Sequence, residues 1–331
     1  MTYYIGIDGG GTKTEGVLTN LAGTILARRV TGASNPNDVT LPVSAERLDT
    51  LCRDLLRDAD LPVSILPSVS VFGGIAGGIN YGPRLETALR EKMPDVGRLT
   101  IRSDIQILLT AELPKGDGAC IICGTGSACF LRRGSDIIRI GGWGYLLDSG
   151  GSGYDIGRDA LEAVLRAFDG RGEPTMLMEL LTEHLGGAVN TRITEIYAEG
   201  KPYIAACAPW VFHAARMGDR VAEAILDRNA RKLAEYVEAA WKWETAEGRT
   251  PPDVFPVIMG GGISVKEAPD WQDRIVSLTS PSVPLTLTVA TMPPVFGAVV
   301  EALKQTEQGS MVDPVSLRAR FPEGYRNVIL K

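Results

Sequence analysis

Histidine is nearly absent: His184 and His213 are the only two in 331 residues. Histidine-based catalytic triads and histidine-rich metal sites therefore have almost nothing to be built from. Long apolar runs are missing too, none approaching the ~20 residues that cross a bilayer. The chain starts straight into a strand pattern, Tyr3-Tyr4-Ile5, so neither a signal peptide nor a membrane partner is expected. Basic stripes are absent and the formal net charge is −6, which leaves no field to attract nucleic acid. The five cysteines are Cys52, Cys120, Cys123, Cys129 and Cys207, several of them in apolar strands or helices. That placement suggests reduced thiols in a cytoplasmic protein. Cys120 and Cys123 have C-x-x-C spacing, but on a strand they point to opposite faces, and there is no second pair.

What is present is ordinary for a soluble globular protein: 44% hydrophobic and 22% charged residues, in a chain long enough for two domains. The organising stretch is Ile5-Gly6-Ile7-Asp8-Gly9-Gly10-Gly11-Thr12-Lys13-Thr14. A strand runs to Asp8, three glycines break it, and residues 15–20 read as its return. Glycines at a hairpin tip allow φ > 0 and let an anion approach the backbone N–H groups. Asp8 would then be a carboxylate beside a phosphate, which is unfavourable unless a metal ion lies between them. An Asp-Gly hairpin without a ligand is the alternative. Neither G-x-G-x-x-G nor G-K-[ST] precedes a helix here, which excludes the dinucleotide fingerprint and the P-loop.

A third strand follows over residues 24–30, then a polar loop over residues 32–38. An amphipathic helix is expected over Ser44–Asp60, with Leu48, Leu51, Cys52, Leu55 and Leu56 on one face. A strand over residues 69–72, a helix over 85–92, a strand over 99–104 closing on Asp104, and a helix over 105–112 complete one half. From Gly118 the pattern restarts with strand, tip Gly124-Thr125-Gly126-Ser127 and return strand, about 115 residues after the first. A strand at 137–140 leads into Gly141-Gly142-Trp143-Gly144 and the loop Asp148–Gly153, whose glycines mark it as mobile. Helices dominate residues 154–247, the clearest capped by Asp219. A strand over 255–259 runs into Gly260-Gly261-Gly262, another covers 285–289, and a helix over 295–304 follows Pro293-Pro294.

Three glycine tips at the ends of buried strands, with acids at Asp8 and Asp104, are difficult to explain as turns alone, since α/β sheets bind ligands at strand carboxyl ends. Asp8–Thr14, Cys123–Ser127, Gly141–Gly144 and Gly260–Gly262, in this order, resemble the N-acetylglucosamine kinase branch of the BadF/BadG/BcrA/BcrD ATPase family, in the sugar kinase–actin–Hsp70 superfamily. The resemblance spans nearly the whole chain and is weakest between Arg166 and Glu247. It implies an α/β fold of two ribonuclease H-like, actin-like ATPase domains facing across a nucleotide and sugar cleft. Residues 1–113, joined by a C-terminal helix over 294–331, would form one domain. Residues 114–293, with a helical insertion, would form the other. The implied cofactors are ATP and Mg²⁺, the partner a small-molecule sugar, and the assembly a homodimer.

The implied reaction is phosphorylation of an amino sugar hydroxyl, N-acetylglucosamine to its 6-phosphate first, with glucosamine or N-acetylmuramic acid as related substrates. On this resemblance Gly9, Gly10, Gly11, Thr12 and Lys13, with Gly124, Thr125 and Gly126, hold the ATP phosphates. Asp8 holds Mg²⁺, and Gly261 and Gly262 border the adenosine. Asn35, Ser127, Gly142, Trp143 and Gly144 line the sugar, and Asp104 is the general base. Family kinases usually read Gly-Asp-Glu-Gly-Ser where this chain reads Asp148-Ser149-Gly150-Gly151-Ser152, so Asp148 substitutes for the acid from one position earlier or the sugar differs. Plainer roles stand beside these: Asp104 as a helix N-cap, Asn35 as a turn residue before proline, Trp143 as core, Lys13 as a solvated turn residue. An ATPase activator of a radical dehydratase, carrying an iron–sulfur cluster, and a nucleotide sensor are the competing functions.

Overall fold

The computed structural model describes residues 2–134, 136–148, 150–246 and 248–327. β1 (Tyr3–Gly9) is apolar on both faces, as a central strand must be: Ile5 and Ile7 enter one buried cluster and Tyr4 the other. β2 (Lys13–Thr19) and β3 (Ile25–Gly32) follow as an antiparallel meander, and β4 (Val69–Ile75) and β5 (Arg98–Ser103) join in parallel. The sheet order is β3-β2-β1-β4-β5. Pairing sets Gly9 level with Ile75 and Ile75 level with Ser103, so three strands end side by side.

The helices Leu41–Asp58 and Gly78–Lys92 cover one face through Leu48, Leu51, Leu55, Leu85 and Leu89. Both begin earlier than expected. Pro42 fits the first turn of one, and Gly82-Pro83 hid the opening turns of the other. Asp104–Glu112 and Pro294–Lys304 cover the opposite face, where Ile107, Val295, Phe296 and Val299 pack with Tyr4 and Phe72.

The second sheet repeats the plan. β6 (Gly118–Cys123), β7 (Ser127–Arg133) and β8 (Asp136–Ile140) form an antiparallel meander, and β9 (Phe255–Gly260) and β10 (Leu285–Val289) add in parallel. The order β10-β9-β6-β7-β8 is that of the first sheet read from the other end. Between β8 and β9 helices run from Gly153 to Glu244, and Asp219 caps Arg220–Glu244 by accepting from the Ala222 N–H, as expected.

The chain divides into two compact units, Met1–Gly116 with Thr291–Lys331, and Asp117–Ala290. Glu112 anchors the returning segment to the first unit: its Oε1 accepts from the Thr291 and Met292 amides at 2.5 and 2.6 Å, and Arg318 pairs with its other oxygen. The single helix expected over 294–331 is instead Pro294–Lys304, Glu307–Ser310 and Pro314–Asn327, with residues 328–331 outside the described ones. Thr306 and Asp313 break it by capping the two later helices with their side chains. Among the described residues no helix is long and apolar enough to cross a membrane.

Candidate active site

In the first unit the β1–β2 tip docks onto the loop after β3 and the segment after β4. The Gly10 carbonyl accepts from the Ser34 and Asn35 amides at 3.0 and 3.3 Å, the Gly9 carbonyl accepts from Ala76 at 2.7 Å, and Thr14 Oγ1 donates to Ser34 Oγ at 2.7 Å. The expectation that the tip glycines supply positive φ fails here, because Gly9, Gly10 and Gly11 all lie outside the left-handed region. Closeness is the reason for glycine: a Cβ on Gly9 would stand 2.3 Å from Ser34 Oγ, and one on Gly11 would stand 2.6 Å from Asp38 Oδ2. Thr12 and Lys13 remain exposed at the crest.

Asp8 lies at the end of β1 and Asp104 just past β5. The Asp8 carboxyl is pushed up to about 6, by burial first, then by the charges of Asp104 and Glu15, with Lys13 pulling the other way. Asp104 is also raised by burial, opposed by hydrogen bonds from the Ser103 hydroxyl and the Ile105 amide, both at 3.0 Å to Oδ1. Those bonds favour its ionised form, so the repulsion between the two acids is expressed at Asp8. The expectation of Asp104 as a helix cap is corrected: Ser103 is the N-cap, its hydroxyl accepting from the Ile105 N–H, and Asp104 is the first helical residue. Asn35 does cap its short helix, Pro36–Val39. Its Oδ1 accepts from the Asn37 amide and side chain, and its Nδ2 donates to Asp38 at 2.7 Å.

In the second unit the second and third tips meet. β9 runs to Gly260, and Gly261, with φ of 94°, turns the chain into the helical turn Gly262–Lys266 rather than into a hairpin. A Cβ at Gly261 would stand 2.4 Å from the Cys123 carbonyl oxygen, so only glycine lets these segments touch. The tip itself is closed by Gly124 N–H to the Gly126 carbonyl, 2.9 Å, while Thr125 is exposed. Lys201, which no sequence pattern linked to this tip, brings its ammonium within 3.1 Å of where a Cβ on Gly126 would be.

Ser127, Gly142, Trp143 and Asp148 also come together here. Asp148 Oδ2 accepts from the Trp143 amide and from the Tyr236 hydroxyl, each at 3.3 Å, and the Tyr236 hydroxyl accepts from the Gly142 amide at 3.2 Å. Tyr236 was missed because it continues the apolar face of Leu233 and Val237 and reads as core. Trp143 is 63% exposed and carries the Arg139 guanidinium 4.7 Å from its ring centre, so the core alternative is excluded. Gly144, with φ of 106°, is exposed beside it. Two residues of the loop expected to be mobile, Gly150 and Ser152, are hydrogen-bonded to the next helix. Gly150 and Ser152 donate their amides to Asp155 Oδ2 at 3.2 and 3.0 Å, the Ser152 hydroxyl adds 2.6 Å, and Ser152 caps Gly153–Phe168. Ser149 lies outside the described residues.

No group of three or more metal-ligating side chains occurs among the described residues. Mg²⁺ asks for less: it retains waters and binds through one or two carboxylates plus phosphate oxygens. Asp8 suits that role, because a nearby cation would relieve the burial and repulsion that hold its proton.

Relatives of known kind show the same extent. The N-acetylmuramic acid/N-acetylglucosamine kinase of Clostridium acetobutylicum is 33% identical over 247 residues, 72% of this chain and 79% of that protein. The N-acetyl-D-glucosamine kinase of Dictyostelium discoideum is 30% identical over 273 residues, covering 78% and 84%. A provisionally named N-acetylglucosamine kinase structure from Chromobacterium violaceum matches with a TM-score of 0.67 at 24% identity, over 91% of this chain and 99% of that one. That likeness speaks for the shared α/β fold. The family's sequence pattern itself runs from residue 5 to residue 302, through all three glycine tips and both strand-end acids, and the chain belongs to the BadF/BadG/BcrA/BcrD ATPase family.

Proposed function

We propose that this protein transfers the γ-phosphoryl group of ATP to a hydroxyl of an amino sugar, N-acetylglucosamine foremost, giving its 6-phosphate. The observation that carries the reading is the pair Asp8 and Asp104 at the ends of β1 and β5, with only β4 between them, and Asp8 pushed up to about 6 beside a glycine tip. Phosphoryl transfer needs positioned phosphates, neutralised charge and one carboxylate aligned with the nucleophile. The curated relatives above are amino-sugar kinases by name.

In this reading Gly9, Gly10, Gly11, Thr12 and Lys13 hold phosphates, as do Gly124, Thr125 and Gly126; the Gly10 and Gly124 N–H groups close their own tips on the Lys13 and Gly126 carbonyls, so other donors of each tip face the phosphates. Gly261 and Gly262 border the adenosine. Asp8 would hold Mg²⁺, which would supply charge neutralisation for the transfer. Asp104 accepts the proton as the sugar oxygen bonds to the γ-phosphorus and the bond to the ADP oxygen breaks. Its Oδ1 is taken by Ser103 and Ile105, and Oδ2 is assigned to the sugar hydroxyl. Asn35, Ser127, Gly142, Trp143, Gly144 and Asp148 orient the sugar.

A radical-enzyme activator with an iron–sulfur cluster fits less well. All five thiols are buried, and burial pushes Cys52, Cys123 and Cys129 up to about 12. A cytoplasmic homodimer is part of the same proposal, and sedimentation tests its stoichiometry. A coupled ADP-release assay with Mg²⁺ and a panel of N-acetylglucosamine, glucosamine, N-acetylmuramic acid and glucose tests the reaction. Sugar-dependent turnover highest on an amino sugar is expected. ATP hydrolysis indifferent to every sugar would reject the kinase reading.

A further inference from the structure

Two stretches of the second unit, the start of β7 and the segment after β8, converge on one phenol. Tyr236 rises from the helix Arg220–Glu244, whose Leu233, Val237 and Ala240 are fixed in the core. Its hydroxyl accepts from the Gly142 amide, exchanges a hydrogen bond with Ser127 and donates to Asp148 Oδ2. A phenol has one proton to give and two lone pairs. Asp148, a carboxylate, takes the proton, while the Gly142 amide and the Ser127 hydroxyl meet the lone pairs. Burial pushes this phenol up to about 12, so the donation persists across physiological pH.

The loops are shaped around the ring. A Cβ on Gly141 would lie 2.2 Å from a ring carbon of Tyr236, and a Cβ on Gly150 would lie 2.1 Å from its hydroxyl. Larger residues at 141 or 150 would therefore displace the tyrosine. A tyrosine that only filled the core would need neither gap nor three polar partners.

We infer that Tyr236 is a positioning residue of the sugar site, setting Ser127, Gly142 and Asp148 in one arrangement from a rigid helix. The inference rests on the proposed function. Among the described residues the bonds to the Asp148 carboxylate, from Trp143 and Tyr236, fall on Oδ2, and Oδ1 is the oxygen assigned to the sugar.

Tyr236→Phe in the full chain tests it. Hydrogen–deuterium exchange over residues 141–148 is expected to speed up, with the rest of the helix Arg220–Glu244 unchanged. The KM for the amino sugar should rise about tenfold, chiefly from loss of the charge-assisted hydrogen bond to Asp148, with the KM for ATP and kcat nearly constant. Combined with Asp148→Asn, the double variant should be no worse than Asp148→Asn alone. Unchanged exchange in the loop, an equal rise in both KM values, or additive effects of the two substitutions would each overturn the inference. A wild-type protein that phosphorylates no amino sugar would sink the proposed function instead, and the exchange experiment still decides whether Tyr236 positions the loop.

Discussion

Asp104 reaches Asp8 across an intervening strand: β4 separates β1 from β5, yet after burial the Asp104 charge is the largest influence holding the Asp8 carboxyl near 6. A carboxyl raised on folding favours the folded state while protonated. That contribution is complete below about pH 4 and is lost as pH rises through 6. Asp8→Asn without ligands should therefore match wild type near pH 4 and exceed it at pH 7–8, by up to roughly 3 kcal/mol. Thermal unfolding between pH 4 and 8 measures this, and Mg²⁺ with a nucleotide should narrow the gap. A constant difference across pH would mean that Asp8 is ionised throughout.

Asp104→Asn should lower kcat by ~10²-fold or more while sugar and ATP affinities stay within several-fold. Ser103 still caps the following helix, so the fold does not depend on this carboxylate. Steady-state kinetics decide the matter: turnover surviving within a few-fold places the base elsewhere.

The tip glycines separate into two kinds. A Cβ at Gly10 or Gly124 would meet nothing closer than 3.2 and 3.8 Å, so Gly10→Val and Gly124→Val should fold and lose ATP affinity. Gly261→Ala, at φ of 94° against a carbonyl oxygen, should lower stability by roughly 1–3 kcal/mol before any ligand is added. Calorimetry with ATP and melting curves on all three variants make the comparison. Full ATP affinity in both valine variants would remove the first two tips from the nucleotide site.

Asp148→Ala should raise the sugar KM about ten- to hundred-fold, equivalent to roughly 1.5–3 kcal/mol for a carboxylate–hydroxyl bond, with the KM for ATP unchanged. Equal losses for both substrates would mark a general structural role.

Much of the fold was legible because strands announce themselves locally. Runs such as Tyr4–Ile7 and Cys120–Cys123 are apolar without a helical period, and glycine or an acid ends each one. The short polar reaches of the candidate site could be picked out for the same reason, lying at strand ends where Asp8, Asp104 and the tips fall. Tyr236 and Lys201 were not, because each comes from a helix far along the chain and only tertiary packing brings it to residues 126–150. The bonds that hold Gly150 and Ser152 in the Asp148–Gly153 loop were hidden behind its glycines. Asp155, two residues beyond it, supplies the carboxylate that ties the loop down, and a capping partner on the next helix is easily read as part of that helix alone.

One face of the first sheet is completed by residues made long after its strands. Tyr4 and Phe72 pack against Phe296 and Val299, the Ser70 hydroxyl donates to the Ala302 carbonyl, and Gln305 bonds Thr100 and Val71. During synthesis, then, one face of that sheet is covered only in part, by Asp104–Glu112, until residues 294–305 have left the exit tunnel. The second unit, contiguous in sequence, has all its strands by residue 289. Although it is encoded second, it is the unit able to mature first, and a chain that stops before residue 294 would carry one finished unit and one open, aggregation-prone sheet.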